Sequence, residues 1–329
     1  MAHNRNKRGS DHDDDDDYKP SPPKRRRSQR VLTRTPSGQL ISKPPASGPP
    51  KPFDRDQLAY TARETIRLLP GLLITRPDAK PDGFLCQKHQ VGPLDQTFCP
   101  RLPKTKVRVI NSDTIEAALQ ISRRSSDKPI CVLNMANAIH AGGGFRKGAL
   151  AQEEALCYRT SLSYSLKIRH YPIPDKAAIY SPTILVIRDS LANGHGVLDA
   201  RDPSRLPVIS VVSAAAIHKP KTKVLANANL PPAMSAVYTS AGDRELMREK
   251  MRIVLRTAIR NRHRKIVLGA FGCGAFANPL KEVGDLWVSV LKDFEFAGGW
   301  WEEVIFAVLS SPKDPNFDWY HKVLHGLEV

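Results

Sequence analysis

The order of hydrophobic and polar positions predicts strands alternating with helices from about residue 106 onward. Short apolar runs rich in β-branched residues are typical of strands, and apolar residues three or four apart are typical of amphipathic helices. The predicted strands are 106–111, 129–134, 178–188, 206–215, 265–272 and 302–310. The predicted helices are 112–124, 150–166, 243–263, 279–294 and 316–326. This alternation indicates parallel pairing, beginning with a βαβ unit over 106–134, and therefore a three-layer α/β/α sandwich with a mixed sheet.

Residues 53–106 are predicted to form an N-terminal helical extension to this sandwich. Their apolar residues have helical spacing from Arg55 onward, and we expect that helix to stop at Pro70 because proline lacks the amide proton. Residues 76–104 are rich in proline, glycine and polar residues, which indicates an irregular segment. Together with the tail described next, this divides the chain into residues 1–52, 53–106 and 107–329.

Residues 1–52 lack the apolar residues needed for a core. They contain nine of the 27 prolines, an acidic run from Asp13 to Asp17 and a basic run from Lys24 to Arg30. This composition is typical of a disordered segment. The basic run favours nuclear import over a merely solubilising tail, so we expect an intracellular, nuclear protein, with the cytoplasm left open.

The overall composition narrows the class of protein. Hydrophobic residues make up 41% of the 329 residues, and the apolar runs are too short to predict a membrane span. Five cysteines, an odd number, fit a reduced compartment better than a disulfide scaffold. Cys86, His89 and Cys99 lie close in sequence but lack a paired Cys-x-x-Cys, so we favour ordinary loop residues over a zinc site there and predict no metal and no cofactor.

The net charge of +17 suits a polyanionic partner. The tail holds twelve Lys and Arg against six Asp, so most of the excess lies in the body of the chain. Nucleic acid is one candidate partner, but no RRM, zinc-finger or helix-turn-helix signature supports it. A substrate that carries phosphates is the other.

Two glycine-rich loops follow predicted strands and precede predicted helices. The first is Gly142-Gly143-Gly144 and the second is GAFGCGAFANP, residues 269–279. Backbone N–H groups at such junctions bind phosphate, although neither loop matches a P-loop or a Rossmann fingerprint. Two adjacent carboxylates, Glu153 and Glu154, follow the first loop, and like charges side by side oppose ionisation of one of them. Acidic residues also occur in first helical turns merely as dipole partners, but the two loops favour a binding cleft.

The segment GGGFRKGALAQEE, residues 142–154, resembles the GGG-x(6–8)-QEE signature of poly(ADP-ribose) glycohydrolases. VLNMANAIHAGGG, YSPTILVIR, VISVVSAAA and GAFGCGAFANP are similar to the microbial-type branch of that family. The resemblance runs from about Val107 to the C-terminus and implies a macrodomain-like catalytic domain that hydrolyses ribose–ribose bonds in poly(ADP-ribose).

The resemblance also implies roles for individual residues. Glu154 would be the catalytic acid and Glu153 would hold ribose hydroxyls, while the triple-glycine loop would wrap the diphosphate. The remaining implied substrate contacts are Gln152, Asn134, Asn137, Gly272, Gly274, Ala275, Phe276 and, at the adenine end, Asp113. The second-loop serine of some macrodomains is Cys273 here.

Three other functions remain open from the sequence: a macrodomain that binds ADP-ribose without cutting it, a hydrolase that removes single ADP-ribose groups from proteins, and a nucleic-acid-binding protein. We favour the enzyme, with poly(ADP-ribose) and ADP-ribosylated proteins as partners. We expect a monomer that does not associate with membranes. The resemblance to the microbial branch implies release of ADP-ribose mainly from chain ends.

Overall fold

The computed structural model describes residues 54–121, 128–225, 234–310 and 314–329, together with the backbone of two short strands near the N-terminus. The chain divides into two compact units, Met1–Pro49 and Pro50–Val329. Strands β1 (Leu32–Arg34) and β2 (Leu40–Ser42) of the first unit pair antiparallel. The rest of the predicted tail lies outside the described residues, including the basic run from Lys24 to Arg30.

The second unit is built around a seven-stranded mixed sheet in the order β3-β6-β7-β5-β10-β11-β4. Its strands are β3 (Phe84–Gln87), β4 (Arg108–Ile110), β5 (Ile130–Met135), β6 (Ala177–Leu185), β7 (Val208–Ala214), β10 (Lys265–Leu268) and β11 (Glu303–Ala307). Strands β7, β5, β10, β11 and β4 run parallel, whereas β6 is antiparallel to β7 and β3 to β6. A separate antiparallel ribbon consists of β8 (Thr222–Val224) and β9 (Ala236–Tyr238).

Helices cover both faces of the sheet. They are α1 (Arg55–Ile74), α2 (Thr114–Leu119), α3 (Gln152–Arg159), α4 (Leu162–Ser165), α5 (Ala241–Arg260), α6 (Leu280–Leu291) and α7 (Asn316–Leu324). Successive β5 residues face opposite layers, since Val132 packs with the α1–α4 cluster and Leu133 with the α5–α7 cluster. The predicted three-layer mixed α/β arrangement is confirmed.

The N-terminal extension differs from its prediction in two places. Helix α1 continues through Pro70 to Ile74, because Leu72 packs against Leu185 and Leu206 and that burial outweighs one missing hydrogen bond. The segment 76–104, predicted to be irregular, contributes the edge strand β3. An edge strand pairs on one side only and is partly exposed here, so it lacks the buried apolar pattern that marks a central strand.

Two more sequence predictions need correction. The single helix predicted over 150–166 is broken at Thr160, which is extended and forms a β-bridge with Val186. The βαβ unit over 106–134 exists, but β4 and β5 are not neighbours, since β10 and β11 lie between them.

The topology brings the two glycine loops to the same edge of the sheet. The first loop follows β5 and the second follows β10, and these strands are adjacent and parallel. Strand β7 lies on the other side of β5 and ends at the same edge. Ligands of open α/β sheets bind at the carboxyl ends of such strands, so a site is expected here. None of the helices in the described part of the chain is both long and apolar enough to cross a membrane.

Candidate active site

The paired glutamates lie in the first turn of α3, as predicted. Glu153 and Glu154 are 3% and 9% exposed, which is unusual for carboxylates. No side chain caps the amino end of α3, so the N-terminal dipole acts on these two groups. Both carboxylates face Gly143: a Cβ at this glycine would overlap Glu154 Oε1 and come within 3.1 Å of Glu153 Oε2.

Glu154 is held by the triple-glycine loop. The backbone N–H of Gly144 donates a 2.8 Å hydrogen bond to Glu154 Oε1. Its other oxygen, Oε2, accepts no hydrogen bond from the described residues. One oxygen is therefore fixed while the other is available to a substrate.

Glu153 is held by the end of β5. The N–H of Asn137 donates to Glu153 Oε2 over 2.7 Å, and Asn134 Nδ2 donates to Oε1 over 3.3 Å. Asn134 Nδ2 also contacts Ser213 Oγ on β7 at 3.0 Å, and Asn134 is completely buried. Burial is the main cause of a raised Glu153 pKa of about 8, and the Glu154 charge acts in the same direction, while the two hydrogen bonds oppose it. Glu153 is thus largely neutral at pH 7.

The two predicted asparagines, Asn134 and Asn137, hold Glu153 and the start of the first glycine loop in place. Asn134 lies beneath Glu153, and its Oδ1 has no hydrogen-bond partner among the described residues. Asn137 Oδ1 accepts from the N–H groups of Ile139 and His140, which shapes the start of the loop. Direct contact of either side chain with a ribose stays a prediction.

Gln152 fastens α3 to the sheet. Its Oε1 accepts from the N–H of Met135 over 2.9 Å. Its Nε2 donates to the carbonyl of Leu133 over 2.7 Å and to Thr114 Oγ1 over 3.1 Å. These bonds indicate that Gln152 positions the glutamates, and its predicted contact with substrate stays untested.

The amide groups of the first loop are already engaged. The N–H of Gly143 donates to the carbonyl of His140, and the N–H of Gly144 to Glu154. The backbone of Gly142 also forms a hydrogen bond with the Glu153 carboxylate. Gly142 and Gly143 have φ of +78° and +59°, which few residues other than glycine adopt. The loop therefore positions the carboxylates, and its predicted role in wrapping a diphosphate has no free amide donor among these three residues.

The second loop does offer free amide donors. The N–H groups of Gly274, Ala275 and Phe276 donate to no described residue, and Gly274 and Ala275 are exposed. Gly272 has a different role: it is buried with φ of +76°, and a Cβ there would approach Ala216 Cβ at 2.5 Å. The half-buried Phe276 ring packs partly against the core and edge-on against His218, with ring centroids 5.0 Å apart.

Asp113, the candidate adenine contact, caps α2 and pairs with a buried arginine. Its carboxylate accepts from the N–H groups of Ile115 and Glu116 and from Arg159 Nη1 at 3.0 Å. Arg159 Nη2 also donates to Glu116 Oε1 at 2.6 Å. Asp113 lies at the carboxyl edge of β4 and is linked to α3, but it does not touch the glutamates.

Helix α1 supports α3 and the segment that joins it to the triple-glycine loop, in a way that the sequence did not reveal. Arg55 Nε donates to the carbonyl of Lys147 over 2.9 Å, and a Cβ at Gly148 would overlap the Arg55 carbonyl. Thr65 Oγ1 donates to the carbonyl of Tyr158 on α3 over 2.8 Å and accepts from the buried Arg188. No local motif marks these contacts, since they join residues far apart in sequence.

Metal-binding groups are not found in the described ranges: no three His, Cys, Asp or Glu side chains there come close enough to hold an ion. This includes the cysteines and the histidine at positions 86, 89 and 99. The carboxylates of Glu153 and Glu154 and the free backbone amides of the second loop lie at this edge of the sheet.

Comparisons with known proteins agree with this geometry. The family model for the catalytic domain of microbial-type poly(ADP-ribose) glycohydrolase (PARG) matches residues 93–189, which include the first glycine loop and both glutamates. The poly(ADP-ribose) glycohydrolase of Thermomonospora curvata has a similar fold, with a TM-score of 0.65 and 25% identity over 82% of this chain and 99% of that chain. The Deinococcus radiodurans enzyme in complex with ADP-ribose gives a TM-score of 0.59 and 28% identity over 78% of this chain and 98% of that chain.

A comparison with curated protein sequences gives no match. The family match begins inside the predicted extension and covers less of the chain than the resemblance from Val107 onward, while the structural match reaches well beyond residues 93–189 on both sides. The signature residues, the fold and the paired carboxylates agree, and residues 93–189 match the catalytic domain of microbial-type poly(ADP-ribose) glycohydrolases.

Proposed function

We propose that this protein hydrolyses the ribose–ribose glycosidic bonds of poly(ADP-ribose) and releases ADP-ribose, with Glu154 as the catalytic acid and base. The observation that carries this assignment is the Glu154 carboxylate, fixed through Oε1 by the Gly144 amide and open at Oε2. The signature, the family model and the solved relatives support the substrate class.

Glu154 performs both proton transfers of the reaction. Cleavage passes through an oxocarbenium-like state, so the leaving oxygen needs a proton and a water must then attack the sugar. Glu154 Oε2 donates the first proton to the leaving 2′-oxygen and then accepts a proton from the attacking water. General acid–base catalysis of this kind contributes about 10²- to 10⁴-fold.

Glu153 orients the ribose without adding charge. With its pKa raised to about 8, this group is largely protonated at pH 7 and can donate a hydrogen bond to a ribose hydroxyl. A neutral Glu153 also places no negative charge beside the anionic substrate. The fixed contacts to Asn134 and Asn137 hold it in place before the substrate arrives.

The second glycine loop is the diphosphate site. Its free N–H groups at Gly274, Ala275 and Phe276 can donate to phosphate oxygens, as amides at strand–loop–helix junctions do. The first loop faces it across the same sheet edge, so a diphosphate held there leaves the attached ribose near the carboxylates. Phe276 would pack against that ribose.

Five finer assignments belong to the same proposal. The resemblance to the microbial branch supports release mainly from chain ends and a macrodomain origin for the sandwich. The basic run from Lys24 to Arg30 supports nuclear import, which a fluorescent fusion with those basic residues replaced by alanine would test. ADP-ribosylated proteins would be the carriers of the polymer, and the enzyme would act as a monomer.

The direct test is a time course of ADP-ribose release from purified polymer by the full chain. We expect ADP-ribose to be the main early product. Tight polymer binding without release would identify a non-hydrolysing reader. Release of ADP-ribose only from singly modified protein would identify a mono-ADP-ribosyl hydrolase.

A further inference from the structure

Three lysines without a described ionic partner lie close together in the segment that follows β7, next to the second glycine loop. We call residues 218–225, HKPKTKVL, the cationic segment; it holds three lysines and neither Asp nor Glu. Lys219, Lys221 and Lys223 are exposed and form no ion pair with any described residue. Arg244, Arg252 and Arg256 on α5 pair with acids, whereas this segment places, within five residues, three lysines without an acidic partner in the described part of the chain.

The cationic segment is connected to Glu153 through the preceding strand, β7. Ser213 on β7 accepts a hydrogen bond from Asn134, and Asn134 also donates to Glu153. The N–H of Lys219 donates to the carbonyl of Phe276 over 2.9 Å, which fixes the start of the segment against the second glycine loop.

The segment then runs along that loop as the strand β8. Thr222 lines the same surface pocket as Gly274 and Asn278. Side chains alternate along a strand, so Lys221 and Lys223 share the face opposite to Thr222. Two residues of strand span about 6–7 Å, so these two lysines present charges in a row.

We propose that the cationic segment binds the diphosphates of the ADP-ribose units that follow the unit being cleaved. This proposal rests on the function proposed above, and it adds a site for the part of the polymer that remains after the cut. Each of those units carries two phosphates, so a chain leaving the carboxylates along β8 meets lysines that have no other partner.

The nearby acid Glu282 does not cancel this charge. Glu282, which accepts from the N–H of Tyr238 on the partner strand β9, is paired with Arg244 at 2.9 Å. Asp314, which lines the same pocket as Thr222, accepts hydrogen bonds from the backbone and side chain of Asn316 and forms no ion pair with a described residue. A lysine is a point charge on a flexible stem and suits phosphates whose spacing varies, as in a polymer.

The test replaces Lys219, Lys221 and Lys223 together by glutamine in the full chain. The matched control replaces Lys104, Lys106 and Lys128, three exposed lysines that precede β4 and β5 and so lie at the opposite edge of the sheet. Initial rates are measured on long polymer and on an ADP-ribose glycoside whose leaving group carries no phosphate, each over a range of salt concentrations.

We expect the K219Q/K221Q/K223Q variant to lose about tenfold in kcat/KM on long polymer, chiefly through KM. The slope of log(kcat/KM) against log salt should become shallower by up to about 2, as counterion release at three phosphates implies. The rate on the glycoside with the phosphate-free leaving group and the affinity for free ADP-ribose should not change. The control variant should match the wild type on every substrate.

The outcomes separate this proposal from the proposed function. A wild-type enzyme that hydrolyses polymer, with a triple variant of equal kcat/KM and equal salt slope, would overturn the cationic segment as a polymer site. A wild-type protein that hydrolyses neither substrate would overturn the activity itself. Single-stranded DNA competing as well as polymer for the wild type, but not for the triple variant, would assign the segment to nucleic acid instead.

Discussion

The backbone N–H of Gly144 donates directly to Oε1 of Glu154, ten residues later in the chain. The triple-glycine loop is therefore part of the machinery that places the acid, with Gly143 leaving the space that both carboxylates face. This relationship explains why bare backbone and paired glutamates occur together in the sequence. It also separates the roles of the two glycine loops, which the following changes test.

Gly143→Ala should abolish most activity without unfolding the protein. The added Cβ overlaps Glu154 Oε1, and the φ of +59° adds strain because side chains disfavour positive φ. We expect at least a tenfold loss of kcat, because the carboxylate must move. Gly71→Ala is the control, since nothing lies within 4 Å of its Cβ, and it should keep wild-type kinetics. Wild-type kcat in Gly143→Ala would show that Glu154 need not be held there.

Gly274→Ala should weaken ligand binding while leaving the free protein unchanged. Its Cβ meets nothing within 4 Å and its φ is not positive, so the melting temperature should stay the same. Calorimetry with ADP-ribose should show a lower affinity, because the methyl group blocks close approach of a phosphate to the loop amides. Unchanged affinity would place the diphosphate elsewhere.

Glu153 should titrate near pH 8, far above an ordinary glutamate. Because its pKa is raised in the folded state, the free energy of unfolding should fall as pH rises from about 4.5 to about 8. In Glu153→Gln this fall should be absent. The measurements are side-chain carboxyl ¹³C shifts, assigned by the signal that Glu153→Gln lacks, and urea unfolding between about pH 5 and pH 9. A midpoint below pH 5 would contradict the neutral role given to this group.

Thr65→Val should destabilise the protein by about 1–3 kcal/mol, because it leaves the buried Tyr158 carbonyl and the Arg188 guanidinium each short of one partner. Thr61→Val removes only a bond within α1 and should cost much less. Chemical denaturation of both variants measures the difference. Equal effects would mean that α1 does not brace the catalytic helix.

The apolar pattern was sufficient to predict the layers, because central strands such as β5 are buried on both faces and their sequence is continuously hydrophobic. It failed where tertiary contacts decide the outcome. Leu72 keeps α1 helical beyond Pro70, and β3 is an edge strand whose pairing with β6 leaves little trace in its four residues. Thr160 breaks a continuous helical pattern through a bridge to Val186.

The site was predictable to a similar degree. The glycines and glutamates were found because their spacing is local and specific. The different roles of the two loops could not be predicted, because they depend on which backbone amides already form hydrogen bonds. The Gly144 amide, for example, already donates to Glu154. Arg188 and Thr65 were missed because they act across the fold.

The most direct test is the single-turnover rate of Glu154→Gln on long polymer, with ADP-ribose affinity measured in parallel. Glutamine keeps the size of the side chain and its bond to Gly144 but cannot donate and recover a proton. We expect the rate to fall by about 10²- to 10⁴-fold with binding retained, while Glu245→Gln, an equal loss of charge on the exposed face of α5, matches the wild type. A Glu154→Gln variant that cleaves polymer at the wild-type rate would contradict the assignment of Glu154 as the catalytic acid.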